Sequence, residues 1–127
     1  MTYYFAKSLD LPFDQAVDKT VAALKDKGFG VLTRIDVQAT LKEKIGADFR
    51  PYVILGACNP KFAHQALQAE DKIGTMLPCN VIVQQHDGRT EVAAIDPVAS
   101  MQAVKNASLQ PVADEVRALL KSAIEQL

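Results

Sequence analysis

The feature that most restricts the fold is the dipeptide Asp87-Gly88, which lies between two runs of β-branched and small apolar residues. Asp-Gly accommodates the positive φ angles of a two-residue type I′ turn, so the flanking runs are predicted to pair as antiparallel strands. The turn also sets the register, because His86 must then face Arg89. The further predicted pairs are Val83 with Val92, Val81 with Ala94, and Cys79 with Asp96.

Periodicity and capping residues predict the remaining elements. Apolar positions recur at helical spacing between Pro12 and Gly28, with proline in the first turn and glycine as the C-cap. Four later helices are predicted in the same way: Asp36 to Gly46, Asn59-Pro60 to about Glu70, a short one begun by Asp96-Pro97, and a long one capped by Ser108. The other predicted strands are residues 2–7, 29–35 and 52–58.

Residues 52–58, YVILGAC, form an almost wholly apolar run. Such a run is typical of a strand buried on both faces, so it is expected to lie at the centre of the sheet. Gly56 within it permits close approach of another backbone or a ligand. Two apolar stripes are expected earlier in the chain: Phe29, Val31 and Ile35 in a strand, and Val37, Leu41 and Ile45 in a helix.

The chain has 127 residues, which suits a single domain, 1–127, and leaves no room for two. The element order β-α-β-α-β-α-β-β-α, with a hairpin near its end, predicts an α+β fold. We expect a single-layer, mainly antiparallel sheet with helices packed on one face. The other face must then be semi-polar, bound to a ligand, or buried against a second copy.

Charge and hydropathy argue against several classes of partner. The formal net charge is −1, with 14 basic and 15 acidic residues mixed along the chain, so no nucleic-acid partner is expected. No apolar stretch approaches the length of a membrane span, and the first residues do not resemble a signal peptide. We therefore expect a cytoplasmic protein with no membrane partner, reduced cysteines and no cofactor.

The candidate site region consists of two Cys-Asn dipeptides and one aspartate: Cys58, Asn59, Cys79, Asn80 and Asp96. Cys58 precedes a predicted helix N-terminus, whose positive dipole end favours a thiolate, whereas Asp96 opposite Cys79 disfavours one there. Two inert packing cysteines, a reversible disulfide and a soft-metal thiolate site are all open interpretations. No catalytic residue and no metal ligand is assigned.

Other polar residues carry weaker signals. His64 could pair with Cys58 for nucleophilic catalysis, but a position on the surface flank of a helix is the simpler interpretation. Asp96 is more simply a helix cap than an acid or base. Asp48 and Arg50 flank Phe49 and could orient an anionic ligand at a strand start, although such a pair is also typical of a solvated turn.

Three stretches of this chain carry a family resemblance: residues 28–67, the block LPCNVIVQQHDG, and the block AIDPVASM. They closely resemble the bacterial domain-of-unknown-function 302 family, most specifically at ILGACNP and LPCNV. The resemblance implies a compact α+β fold, similar in outline to one repeat of the TATA-box-binding protein, and a homodimer. It implies no mechanism. The family-motif positions, without roles, are Cys58, Asn59, Pro60, Pro78, Cys79, Asn80, Asp96 and Pro97.

Three functional hypotheses follow. The leading one is a non-catalytic homodimeric small-molecule-binding or accessory domain, whose pocket would lie near Cys58, Cys79 and Asp96. The second is a thiol-dependent redox or soft-metal-handling protein that uses Cys58 and Cys79. The third is a purely structural dimerisation module.

Overall fold

The computed structural model describes residues 2–127, which form five strands and five helices. The strands are β1 Tyr4–Leu9, β2 Gly30–Asp36, β3 Tyr52–Cys58, β4 Cys79–His86 and β5 Arg89–Ile95. The helices are α1 Phe13–Asp26, α2 Val37–Ile45, α3 Pro60–Ala69, α4 Pro97–Ser100 and α5 Gln110–Glu125. Two short 3₁₀ turns cover Ile73–Met76 and Ala107–Leu109. The predicted α+β fold is confirmed.

The five strands form one sheet in the order β1-β5-β4-β3-β2, and every neighbouring pair is antiparallel. The hairpin has its predicted turn, because Asp87 and Gly88 both have positive φ angles, 52° and 75°. Its register is also as predicted, with His86 opposite Arg89, Val83 opposite Val92 and Val81 opposite Ala94. The predicted pair Cys79–Asp96 is not part of this ladder, because β5 ends at Ile95 and Asp96 is the N-cap of α4.

The prediction that residues 52–58 form a central strand buried on both faces is wrong. β4 is the central strand, and β3 lies between β4 and β2. The buried side chains of β3 are Val53, Leu55 and Ala57, whereas Tyr52 and Ile54, on the other face, are only half-buried. The apolar run therefore serves two surfaces, one against the helices and one that the helices leave uncovered.

The predicted common face for Phe29, Val31 and Ile35 is also wrong, because the register of β2 shifts between Val31 and Thr33. Val31 pairs with the buried Ala57, but Ile35 pairs with Ile54 on the opposite face and is 47% exposed. A bulge of one residue reverses the side to which every later side chain points. The bulge therefore moves an isoleucine out of the core.

The core lies between the sheet and helices α1 and α5. Leu24 of α1, Phe29 and Leu120 of α5 are among its largest fully buried side chains. A smaller cluster around Ile73 packs beneath α3 and the second 3₁₀ turn. Helix α2 contributes no buried residue, and Ile45 of its predicted apolar stripe is 72% exposed.

The sequence predicted that Ser108 caps the long helix, but it does not. Ser108 lies within the 3₁₀ turn Ala107–Leu109, and its backbone N–H donates to the side chain of Asn106 at 3.0 Å. Helix α5 then begins at Gln110, with a proline in its first turn. Asn106 is therefore the residue that starts this C-terminal segment.

Candidate functional site

The two cysteines lie side by side at one end of β3 and β4. Ala57 is paired with Cys79, and Cys58 is the next residue along β3. Cys58, Asn59 and Cys79 all line one apolar cavity between the sheet and helices α3 and α5. Its volume is about 30 Å³, which holds roughly one water molecule. Small-molecule pockets are typically about ten times larger, so this cavity is not a preformed ligand pocket.

The cavity does not collect the whole predicted site region. Asn80 lies on the other face of the sheet, exposed and paired with Gly56, and Asp96 is not among the residues that line the cavity. Asn59 occupies the N-cap position of α3, but its side chain makes no capping bond. Its Nδ2 donates instead to the carbonyl oxygen of Lys27 at 3.4 Å, which ties α3 to the end of α1.

The two thiols differ in burial. Burial and the neighbouring Cys58 together raise the pKa of the Cys79 thiol to about 11. The predicted direction for Cys79 was right, but the predicted cause, Asp96, was wrong. Cys58 is only half-buried. At neutral pH Cys79 is therefore a protonated, packed thiol, and Cys58 is the more accessible of the two.

We expect iodoacetamide at pH 8 to modify Cys58 before Cys79. About one Cys79 thiol in a thousand is ionised three pH units below its pKa, and the thiolate is the reacting form. Modification of Cys79 should rise about tenfold per pH unit up to pH 11. Peptide mapping after timed alkylation measures both rates. The urea-unfolded protein is the control, and equal rates in the folded protein would contradict the assignment.

Asp96 is a structural carboxylate that joins two helices. Its side chain is 8% exposed, and Oδ1 accepts a hydrogen bond from the backbone N–H of Val98 at 3.0 Å. Oδ2 accepts from Nε of Arg117 on α5 at 3.1 Å. The Arg117 guanidinium in turn lies 5.1 Å from the ring centroid of Phe5. The interpretation of Asp96 as a helix cap is therefore confirmed.

Replacing Asp96 with alanine should lower the free energy of unfolding by about 2 kcal/mol, because both the cap and the contact to Arg117 are lost. Asp96→Asn keeps a good capping side chain and should cost about half as much. Urea denaturation of both variants measures the difference. An equal loss in the two variants would mean that the negative charge of Asp96, and not its capping hydrogen bond, stabilises the junction of α4 and α5.

Neither histidine lies at the cavity beside the two cysteines. His64 is exposed on α3 and is not among the residues lining the cavity. His86 is exposed beside the hairpin turn, with Nε2 3.5 Å from the carboxylate of Asp87.

Within residues 2–127, no three His, Cys, Asp or Glu side chains are grouped so that they could hold a metal ion. Over the same residues, every helix is too short or too polar to cross a bilayer.

A more open concave surface lies on the opposite side of the sheet, which we call the open face. It includes these outward side chains of the five strands: Tyr4, Ala6, Ser8, Thr33, Ile35, Tyr52, Ile54, Asn80, Ile82, Gln84, His86, Arg89, Glu91, Ala93 and Ile95. A groove of about 400 Å³ crosses its middle. Strand alternation predicts which residues share this face, but not that they enclose a groove.

A chain of hydrogen bonds crosses the open face. Nε of Arg50 donates to Oε1 of Gln84 at 2.8 Å, and Nε2 of Gln84 donates to Oε1 of Glu91 at 3.0 Å. The Arg50 guanidinium also lies over two aromatic rings, 4.4 Å from the centroid of Phe49 and 5.6 Å from that of Tyr52. Arg50 is not itself among the residues that line the groove, but these contacts hold its guanidinium beside two that are, Gln84 and Tyr52. The sequence singled out Arg50 but not its partners.

Comparison with known proteins identifies a family and a solved structure similar to this chain. The family described as "Domain of unknown function DUF302" matches residues 5–127. A solved structure, that of an uncharacterised conserved DUF302 protein from Bacillus stearothermophilus, is 28% identical in sequence with a TM-score of 0.93. The similarity covers 99% of this chain and 98% of that one. No curated protein matches. This chain belongs to the DUF302 family.

Proposed function

We propose that this protein is a non-catalytic homodimeric small-molecule-binding domain, in which the open face of one copy packs against that of a second. The observation that carries the proposal is the apolar character of the uncovered face. A sheet that meets water on one side normally alternates apolar with polar residues. Here the outward positions of β3 and β4 include Tyr52, Ile54 and Ile82, and Tyr4 at the edge is 43% exposed.

The size of the open face suits a dimer. Five strands spaced about 4.8 Å apart, each about seven residues long, cover roughly 24 by 23 Å, or about 550 Å² per copy. Two copies would therefore bury about 1,100 Å², before the additional surface of protruding side chains is counted. That area reaches the lower limit for a specific interface.

The charges on the open face permit self-association. Glu91 lies near its middle, Arg50 lies at the rim, and Gln84 joins the two through hydrogen bonds. Because neither sign predominates, two identical faces would not repel one another strongly. A face dominated by one sign would have argued against a second copy as the occupant.

The chemistry of the candidate residues supports a non-catalytic role. The Cys79 thiol is protonated at neutral pH, and both oxygens of Asp96 accept structural hydrogen bonds. The rival hypothesis of a thiol-dependent protein rests on the shared cavity beside Cys58 and Cys79. It requires the two cysteines to form a disulfide or to hold a soft metal together.

Native mass spectrometry of protein purified without reductant separates these hypotheses. Our proposal predicts a dimer with both cysteines reduced, with or without a bound organic molecule. A mass loss of two hydrogens per chain, or a retained metal ion, would favour the thiol-dependent hypothesis. A single-chain mass at micromolar concentration would overturn the dimer.

A further inference from the structure

We propose that the groove of the open face binds an amphipathic carboxylic acid, with its carboxylate on Arg50 and its apolar body along Ile82, Ala93 and Ile95. This inference rests on the proposed function, because it names the class of molecule that the binding domain would hold. Three features of the open face support it: a guanidinium that is held in place, an uneven distribution of charge around it, and a groove of suitable size with apolar side chains.

The first feature is the fixed guanidinium of Arg50. Its stacking on Phe49 and Tyr52 and its hydrogen bond to Gln84 restrict the side chain before any ligand arrives. That hydrogen bond uses one of the five N–H donors of arginine, and a carboxylate takes two donors in the bidentate geometry. A cation already held in place loses less entropy on binding.

The second feature is the arrangement of charge around Arg50. Asp48, its neighbour in sequence, is 93% exposed and pairs with Lys42 at 3.0 Å, so it does not occupy the guanidinium. Glu91 lies on the far side of Gln84, whose amide oxygen accepts from Arg50 while its nitrogen donates to Glu91. The groove is therefore polarised, and an acid would bind with its carboxylate towards Arg50 and away from Glu91.

The third feature is the groove itself. Its volume of about 400 Å³ lies within the range of small-molecule pockets, and Tyr52 and Gln84, which hold Arg50, are part of its wall. Ile82, Ala93 and Ile95 supply apolar surface beside the ring of Tyr4. Packed sheets lie about 10 Å apart, and a side chain as small as that of Ala93 cannot fill that space. The groove would therefore persist as a chamber between the two copies.

Titration calorimetry with dodecanoate, below its micelle concentration, tests the inference. Arg50→Met should weaken binding by at least about tenfold, because the carboxylate loses its bidentate partner. Arg34→Met is the matched control and should bind as the unaltered protein does. Arg34 pairs with Leu55 and so lies on the helix side of the sheet. The uncharged probe 1-dodecanol should bind the unaltered protein and Arg50→Met equally.

Equal dodecanoate affinity in the unaltered protein and Arg50→Met would overturn the inference, as would absence of dodecanoate binding. Sedimentation of the same samples keeps the two proposals apart. A dimer that does not bind dodecanoate would overturn only the ligand class. A monomer that binds it through Arg50 would overturn only the dimer.

Discussion

Replacing Gly56 with alanine is expected to lower the free energy of unfolding by about 3 kcal/mol, at the upper end of the cost of forcing a methyl group into a site with no room for it. A Cβ atom at this position would lie 2.2 Å from Oγ1 of Thr33 and 2.8 Å from Cγ of Pro78. Thr33 could rotate away, but the proline ring is rigid, so β3 itself would have to shift. Urea denaturation measures the loss.

Gly30→Ala is the matched control for this variant. Gly30 also lies in a strand, at the start of β2, but a Cβ there would meet nothing within 4 Å. Its stability should stay the same or rise by up to about 1 kcal/mol, because alanine restricts the unfolded chain. If the two alanine variants proved equally stable, close packing over Gly56 would not be the reason for its glycine.

Replacing Ile82 with arginine is expected to convert the dimer into a folded monomer. Ile82 is half-buried on the central strand, between Ile54 on β3 and Ala93 on β5. In the monomer the new guanidinium can extend into water, but between two packed sheets it would lose that hydration, which is costly even for a paired charge. We expect the dissociation constant to rise at least about 100-fold, as measured by sedimentation velocity.

Leu67→Arg is the control for the Ile82 variant. Leu67 is an exposed leucine on α3, away from the open face, and it should tolerate arginine without any change in association. Circular dichroism checks that both variants fold. A dimer that persists in Ile82→Arg would place the interface elsewhere, and dissociation of both variants would indicate an effect of charge alone.

The elements that the sequence predicts well depend on local physics. The positive φ angles of Asp87 and Gly88 are a property of two residues, and they set a register that the structure reproduces. The cap formed by Asp96 and the terminal glycine of α2, Gly46, are local in the same sense. Such signals act within a few residues and need no knowledge of the rest of the fold.

The errors concern long-range contacts. The bulge after Val31 depends on how β2 pairs with β3, and no residue type or pattern within β2 predicts it. The apolar run of β3 is equally compatible with burial by helices on both faces and with one face that this chain leaves uncovered. The sequence cannot distinguish the two, because the hydrophobic pattern records which side chains avoid water and not what covers them.

The candidate site was predicted only in part, for a similar reason. Cys58 and Cys79 stand out because cysteine is rare in this chain, and the structure does bring them to one cavity, although that cavity is too small for a ligand. The larger groove is built from common residue types on four strands. Its one signal in the sequence was Arg50, and the partners that hold it, Gln84 and Tyr52, lie at positions that only the sheet brings together.

The most direct test of the central claim, that two copies pack through their open faces, is small-angle X-ray scattering of the unaltered protein at micromolar concentration. Two sheets packed face to face predict a mass of twice 13.8 kDa and a radius of gyration of about 18 Å, as for a compact body of that size. A mass of 13.8 kDa with a radius of about 14 Å would contradict the claim. So would a dimer whose radius is well above 18 Å, since strands joined edge to edge would give a longer particle.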